Sequence, residues 1–355
     1  MLKLDWYIGR VILKNVAVVF SVVFVIQFFT LFVQESTQVD RDYQIGGAVI
    51  YSLLYLPVRA YEMLPVILLI GGIIGLGTLA NGSELTTIRA TGKSIGFITR
   101  SMAKTGIPLV LILFLIGEFI ALPLIDVAEE YKAINLGKKI SMSTSDSFWI
   151  KDSDRFININ GINAGKEDQF RYFKIDETNN LREILTAKRS ISTDDGWRLY
   201  DVMITSIGES STETMHHDEF ELKTSFDKEG LGKLTLNPRH IRLLELYGYS
   251  KYLEVNDLES EPYFFSFWNR LFQPIAALAM LFLALPFVFG SLREKSITQR
   301  VMTGVFVGVG FFTLSQIVNH LGLMVDISAI VGAAIPTMAI IALWGYLFGR
   351  ADKLH

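Results

Sequence analysis

No cysteine occurs anywhere in the 355 residues, so disulfide frameworks, iron–sulfur clusters and thiolate catalysis are excluded, and the redox compartment stays open. Charge is scarce as well. Asp, Glu, Lys and Arg make up 19% of the chain, below the roughly 25% of soluble domains. Neither sign dominates: 33 basic against 36 acidic residues leave a net charge of -3, which gives nucleic acid no electrostatic footprint to bind. What fills the space is apolar. Hydrophobic residues are 50% of the total, and the mean hydropathy is +0.37.

That apolar content is gathered into six runs: Asn15 to Gln34, Met63 to Ser83, Thr105 to Ile125, Leu271 to Leu292, Val301 to Val325 and Ile327 to Gly349. Each meets the roughly 17–25 residues that a bilayer crossing requires. The first run, at about 20 residues, is longer than a signal-peptide core, and no small-residue cleavage site follows it, so it reads as an anchor. Basic residues gather at the N-terminus (Lys3, Arg10, Lys14), in the connector after span two (Arg89, Lys93, Arg100, Lys104), after span four (Arg293, Lys295, Arg300) and at the end (Arg350, Lys353). The other connections are poorer in them. The positive-inside rule therefore predicts that both termini and these two connections are cytoplasmic.

Between spans three and four lies a soluble segment, roughly Asp126 to Tyr263, on the opposite side. Short alternating stretches predict strands at Arg155–Ile159, Gln169–Ile175, Trp197–Ile207 and Glu219–Phe226, separated by Asn-, Gly- and Asp-rich turns. A sandwich or jelly roll follows, flanked by helices at Ile125–Leu136 and Arg239–Val255. The chain divides into spans 1–3 (residues 1–125), the outer domain (126–263) and spans 4–6 (264–355). The fold class is an α-helical membrane protein with six transmembrane helices and an all-β domain inserted between helices 3 and 4.

The connector Asn81 to Lys104 is the most informative polar stretch. Ser83 suits an N-cap, Glu84 the first turn, Arg89 the last turn, and Gly92 the stop. Leu85 and Ile88 share one face. So short a helix is marginal alone and must dock against something. Gly92-Lys93-Ser94 resembles the tail of a phosphate-binding loop, but Thr87 stands where that motif needs glycine, and a membrane span precedes it instead of a strand.

Four other features carry chemistry. Glu118 is the one charge inside the runs as drawn; an acid at bilayer depth costs about 2.5–3.5 kcal/mol. Snorkelling, a hydrogen bond to a neighbouring helix and a role in substrate passage all remain open for it. Gln316, Asn319 and His320 share a face near the outer end of span five, as helix–helix glue or as cavity lining. Gly71 and Gly75 have the GxxxG spacing of close helix packing. His216-His217 has no ligand-spaced acids beside it, so a metal site is not indicated.

No enzyme motif or cofactor signature emerges, which leaves transport, signalling and assembly. A docked helix at the cytoplasmic end of two spans is what an external ATPase would push. Five stretches stand out in order along the chain: Leu4-Asp5-Trp6-Tyr7-Ile8-Gly9, Gly82-Ser83-Glu84-Leu85 with Arg89-Ala90-Thr91-Gly92, Ile116-Gly117-Glu118-Phe119, Trp268 to Pro274, and Phe287 to Arg293. By these stretches the sequence resembles the LptF/LptG permease family of the lipopolysaccharide export ABC transporter over nearly its whole length. The N-terminal and span-four signatures are of the LptG branch. The resemblance implies an LptF-like partner permease, two LptB-like ATPase subunits and an LptC-like bitopic protein, with a periplasmic β-jellyroll in the outer domain. It implies an inner-membrane permease that extracts lipopolysaccharide, with ATP hydrolysed by the partner.

The same resemblance makes Glu84, Leu85, Ile88 and Arg89 the ATPase-coupling residues, and spans one and five the lateral gate. Gate or cavity candidates are then Gln27, Phe28, Thr30 and Leu31 on span one and Gln316, Asn319 and His320 on span five. The outer end of span one carries no basic residue before Arg41, so Arg41 and Arg59 become the candidates for lipid phosphates. Two rival readings are a mechanical relay that acts on an envelope partner without moving lipid, and a lipoprotein exporter.

Overall fold

In the computed structural model, the described residues are 3–39, 43–135, 147–152, 155–160, 169–176, 180–193, 196–208, 211–223, 241–256, 258–289, 296–324 and 327–353. They fall into two compact units, Met1–Glu129 with Arg242–Tyr247 and Glu261–His355, and Glu130–Ile241 with Gly248–Ser260. In chain order the helices are α1 (Lys3–Ser36), α2 (Ile45–Glu62), α3 (Leu64–Asn81), α4 (Glu84–Ala90), α5 (Ile95–Ile116), α6 (Leu122–Asn135), α7 (Leu243–Val255), α8 (Glu261–Phe289), α9 (Ile297–Met324) and α10 (Ala329–Lys353). Among the described residues six helical stretches are long and apolar enough to cross a membrane: α1, α3, α5 running on into α6, α8, α9 and α10. They coincide with the six apolar runs.

The spans are packed unequally. In its most apolar stretch α3 is 67% buried and α8 61%, against 17% for α1 and 11% for α9. A helix that is apolar all round belongs in a core, and α3 has no charged residue from Leu64 to Asn81. The buried face of α1 is Asp5, Ile8, Ile12, Val16 and Val19, at helical spacing of three and four. It closes on α3 at two glycines. A Cβ on Gly71 would stand 2.7 Å from the Val16 Cα, and one on Gly75 3.1 Å from the Ile12 Cα. The GxxxG spacing is therefore a packing device. Gly304 and Gly308 of α9 rest in the same way on Ile73 and Val66 of α3.

A first prediction follows. Gly71→Leu forces a side chain into main-chain atoms that cannot rotate away, and should cost about 1–3 kcal/mol. Gly304→Ala meets only the Ile73 side-chain tip and should cost less. Thermal unfolding midpoints of the two purified variants check the order.

Span three is not a uniform helix. Gly117–Ala121 is a π turn between α5 and α6, a local insertion in the hydrogen-bond ladder. Gly117 admits the Tyr61 ring, which a Cβ would meet at 2.5 Å. Helix α2 is a further departure from expectation, which held only a connection between Glu35 and Glu62. Pro57 inside it and Arg59 and Glu62 at its end weaken its sequence signal. Packing supplies the stability, through buried Tyr51, Leu56, Val58 and Ala60.

The second unit holds one antiparallel sheet. Its described strands are β1 (Ser147–Asp152), β2 (Arg155–Asn160), β3 (Gln169–Ile175), β4 (Leu181–Thr193), β5 (Gly196–Ile207) and β6 (Thr212–Lys223), paired in sequence order. An antiparallel β region thus lies between spans three and four, as anticipated. Strands β2, β3 and β5 match the expected stretches closely. Of Glu219–Phe226, the part to Lys223 ends β6 and the rest lies outside the described residues. Strands β1 and β4 were not anticipated.

The core of the sheet is Ile157, Phe170, Tyr172, Leu185, Ala187, Trp197, Leu199, Val202 and Leu222. On β5 the buried positions run Trp197, Leu199, then Val202; on β4 they run Leu185, Ala187, then Ser190. Both strands slip by one residue at the same place, where the ladder skips Lys188 and Asp201. Asp201 takes a left-handed φ of 53°, which aspartate tolerates better than most residues. The pairing register is the same on either side, Ala187 with Val202 and Arg189 with Tyr200, so the interruption re-aims side chains without inserting a residue.

The Asp201 carboxylate gathers His216 Nε2 at 2.6 Å and Lys188 Nζ at 2.5 Å. Hydrogen bonds first from His216 and then from Lys188 hold its carboxyl below the usual carboxylate range. A lowered folded value means that the ionised form stabilises the sheet above the unfolded value of about 3.9. That contribution disappears as pH falls through the lowered value. Asp201→Asn should therefore flatten the acid limb of the sheet's stability below about pH 4, read by thermal melts across pH.

Candidate functional site

The connector after α3 is two helix ends joined by a glycine. Helix α4 ends at Ala90, and Gly92 follows with a φ of 82° and donates its N–H to the Arg89 carbonyl at 2.9 Å. Gly92 stops the helix as the sequence predicts. Ser94 then opens α5, its hydroxyl accepting from the Phe97 N–H at 3.3 Å. Lys93 Nζ lies 5.1 Å from the Phe97 ring centroid. The apparent phosphate-loop signature is thus a helix stop followed by a helix cap. Ser83 corrects expectation: its φ is 57° and its side chain makes no cap hydrogen bond. It contributes its carbonyl instead, which accepts from the Thr87 N–H at 2.9 Å.

Leu85 and Ile88 point into the core of the helical unit, at 2% and 8% exposure. The expectation that they form apolar contacts with a partner is therefore corrected. A seven-residue helix cannot hold itself in water, and its two apolar residues anchor it to its own chain. Thr86 and Thr87 are exposed, while Glu84 and Arg89 are half-buried. Glu84 engages the Tyr7 hydroxyl near the start of α1. That end of α1 is fixed in turn by Asp5, which is 1% exposed and accepts from Ser101 Oγ at 2.5 Å and from Lys104 Nζ. Sequence reasoning used Lys104 only for orientation; an acid opening the first span was the signal for this tie.

The gate candidates are spread over separate elements. On α1, Leu31 is buried, Gln27 and Phe28 are half-buried, and the exposed Thr30 hydroxyl donates to its own helix at the Ile26 carbonyl. No residue between Val19 and Leu31 is buried within this chain. On α9, Asn319 accepts from Asn269 Nδ2 of α8 at 2.7 Å, a hydrogen bond between the two helices. His320 is exposed and its Nδ1 lies 2.9 Å from the Gln316 carbonyl; the Gln316 side chain is half-buried. Arg59 pairs with Glu62 at 3.1 Å and lies over the Tyr55 ring at 5.4 Å. Arg41 lies outside the described residues. Among the described residues no hydrogen bond or ion pair joins the candidates of α1, α2 and α9 to one another.

Glu118 is the best-defined polar centre. It sits in the π turn, 6% exposed, and one carboxylate oxygen accepts from the Leu243 N–H at the start of α7. The other lies 3.7 Å from Arg270 Nη1 of α8, a guanidinium in a residue only 8% exposed. Gln273, one turn further along α8, donates to the Tyr61 carbonyl at 3.0 Å. Arg270 is a second charge inside a span that sequence reasoning missed, because the fourth run was drawn from Leu271.

Comparison with known proteins places this architecture. The family described as "Lipopolysaccharide export system permease LptF/LptG" matches residues 6–350. The chain is 29% identical over 351 residues to the lipopolysaccharide export system permease protein LptG of Haemophilus influenzae, covering 98% of each chain. It is 29% identical over 348 residues to the protein of the same name in Escherichia coli K12, covering 96% of this chain and 97% of that one. With six spans, a β region between the third and fourth, and a match over nearly all its length, the chain belongs to the LptF/LptG permease family.

Proposed function

We propose that this chain is an inner-membrane permease subunit that extracts lipopolysaccharide from the outer leaflet and hands it to a periplasmic route, driven by a separate ATPase. The observation that carries the reading is the unequal packing of the spans. Helices α1 and α9 each press glycine-bearing contacts against α3 and leave most of their apolar surface bare. Bare apolar walls of this extent mark sites for lipid or another chain. A second, LptF-like permease closing a lipid-sized space between such walls fits them, with an LptC-like bitopic protein beside it.

In this reading both termini and α4 are cytoplasmic, and the β unit is periplasmic and carries lipid onward as a jellyroll. The chain hydrolyses nothing; of two LptB-like ATPases in the complex, one receives α4 at Glu84 and Arg89, while Leu85 and Ile88 transmit the movement to the bundle. Gln27, Phe28, Thr30 and Leu31 on one side and Gln316, Asn319 and His320 on the other line the gate. Arg41 and Arg59 supply positive charge for lipid phosphates.

Photo-cross-linking from Phe28 and His320 in the reconstituted complex should yield lipopolysaccharide adducts that fall when ATP is supplied. Replacing Arg41 and Arg59 together by Glu should weaken those adducts. Adducts to protein alone would favour the mechanical relay and overturn lipid export.

A further inference from the structure

Helix α7 starts at Leu243. The first N–H groups of a helix have no partner inside it, and the residue before Leu243 is Arg242, a side chain with no acceptor to offer them. The acceptor comes from 125 positions earlier, where the Glu118 carboxylate takes the Leu243 N–H. An acid at that end also meets the positive pole of the helix dipole. Glu118 thus caps α7 from span three. Arg270 of α8, 3.7 Å from its other oxygen, holds the carboxylate in place.

Three helices at which the chain leaves or rejoins its first unit meet at this carboxylate. The π turn that carries Glu118 runs straight into α6, which passes from the first unit into the second after Glu129. Helix α7 begins in the segment Arg242–Tyr247 of the first unit and ends in the second, and α8 opens at Glu261, where the chain rejoins the first. Glu118, Leu243 and Arg270 themselves all belong to the first unit. The tie also reaches span two. The Tyr61 ring packs on Gly117, the Tyr61 carbonyl accepts from Gln273 of α8, and α3 follows from Leu64. Packing alone does not call for ions here, because apolar side chains of similar volume hold buried helices together as well as an ion pair does, or better. What they cannot do is accept the Leu243 N–H.

We propose that Glu118 is a positioning residue for lipid hand-off: it fastens the root of α7 to span three, so that a shift of the bundle is carried along α7 into the β unit. It acts through Leu243 and touches no lipid. Without the cap the bundle still responds to the ATPase, but α7 no longer follows. The cargo rests on the lipid-export reading; the junction rests on the cap alone.

The test uses the full chain with the partner subunits that co-purify with it, reconstituted in proteoliposomes with lipopolysaccharide. Leu243→Pro removes the donor: proline is favoured at the first helical position, which needs no N–H, and the Glu118–Arg270 pair stays. Glu118→Leu with Arg270→Met removes the acceptor and leaves no unpaired charge. Both variants should keep ATP hydrolysis and a melting point close to wild type. Amide exchange across Leu244–Tyr247 should speed up about tenfold, the effect of a lost helix cap, and lipid released per ATP should fall about fivefold or more. Glu118→Gln keeps an oxygen for Leu243 and melts lower, yet should retain most of that ratio. A merely structural role predicts the reverse order, with release following the melting points, and that result overturns the proposal. So does exchange that stays unchanged in both variants, and so does wild-type release per ATP in Leu243→Pro once its exchange has risen. Should Leu243→Pro not fold, the double variant decides on the same two readouts. If the wild-type complex moves no lipid, the export reading fails by itself, and exchange at Leu244–Tyr247 decides the junction. A change on ATP addition that Leu243→Pro abolishes supports it, and no change in wild type overturns it.

Discussion

Replacing Glu118 by Ala should destabilise the protein by about 3–5 kcal/mol, the largest single-site loss expected in this chain. Three neighbours make the effect large. Arg270 is buried and faces the carboxylate at 3.7 Å, so removal leaves a guanidinium in an apolar interior without the charge opposite it. The Leu243 N–H at the start of α7 loses its acceptor. The π turn around Glu118 loses the side chain that ties it to α7 and α8, and such turns persist only where tertiary contacts hold them. Glu118→Gln separates these contributions. It keeps an oxygen for Leu243 but carries no charge, and should lose a smaller part of the stability. The double variant Glu118→Leu with Arg270→Met should recover much of the loss, because apolar replacement of both partners of a buried pair is often near neutral. Denaturant unfolding of these variants checks this, with Glu118→Leu and Arg270→Met measured singly to complete the double-mutant cycle. A double variant as unstable as Glu118→Ala would show that Glu118 acts through groups other than Arg270.

The spans were legible because membrane crossing imposes a length and a polarity that no tertiary context overrides. The glycine contact was legible for a related reason: Gly71 and Gly75 lie four apart, and only close packing explains that spacing inside an apolar helix. What the sequence hid was set by partners distant along the chain. Arg270 lies 152 positions from Glu118, and nothing local marks it as buried. Asp5 and Lys104 are likewise far apart in sequence, and each alone reads as an ordinary charge at a span end. Strand β4 escaped because two exposed charged residues in succession, Lys188 and Arg189, break its alternation. Helix α2 was masked by Pro57 and terminal charges. In the connector, helix limits and the Gly92 stop were readable from local chemistry. The direction of Leu85 and Ile88 was not, since one apolar face serves equally for docking inward or outward, and only the packed structure decides.

Glu84→Lys should abolish ATP-driven lipopolysaccharide release while leaving folding and membrane insertion nearly intact. Glu84 is half-buried and its carboxylate engages the Tyr7 hydroxyl, a contact at the helix surface and not in the core, so little internal packing depends on it. It also occupies the first turn of α4, where an acid gains about 0.3–1 kcal/mol from the helix dipole; the reversal should therefore cost about 1–2 kcal/mol of stability. Partner binding is affected far more. Juxtaposed like charges at an interface cost several kcal/mol, and each 1.4 kcal/mol is about tenfold in affinity. Co-purification of the ATPase should fall by at least about tenfold, and release from proteoliposomes should disappear with it. Two companion variants separate coupling from internal structure. Tyr7→Phe removes the hydroxyl that Glu84 engages; export close to wild type is expected, and a loss equal to that of Glu84→Lys would assign Glu84 a purely internal role. Leu85→Asp should act in the opposite way, lowering the unfolding midpoint because it places a charge in the core that anchors α4. Normal release by Glu84→Lys would remove α4 from the coupling path altogether.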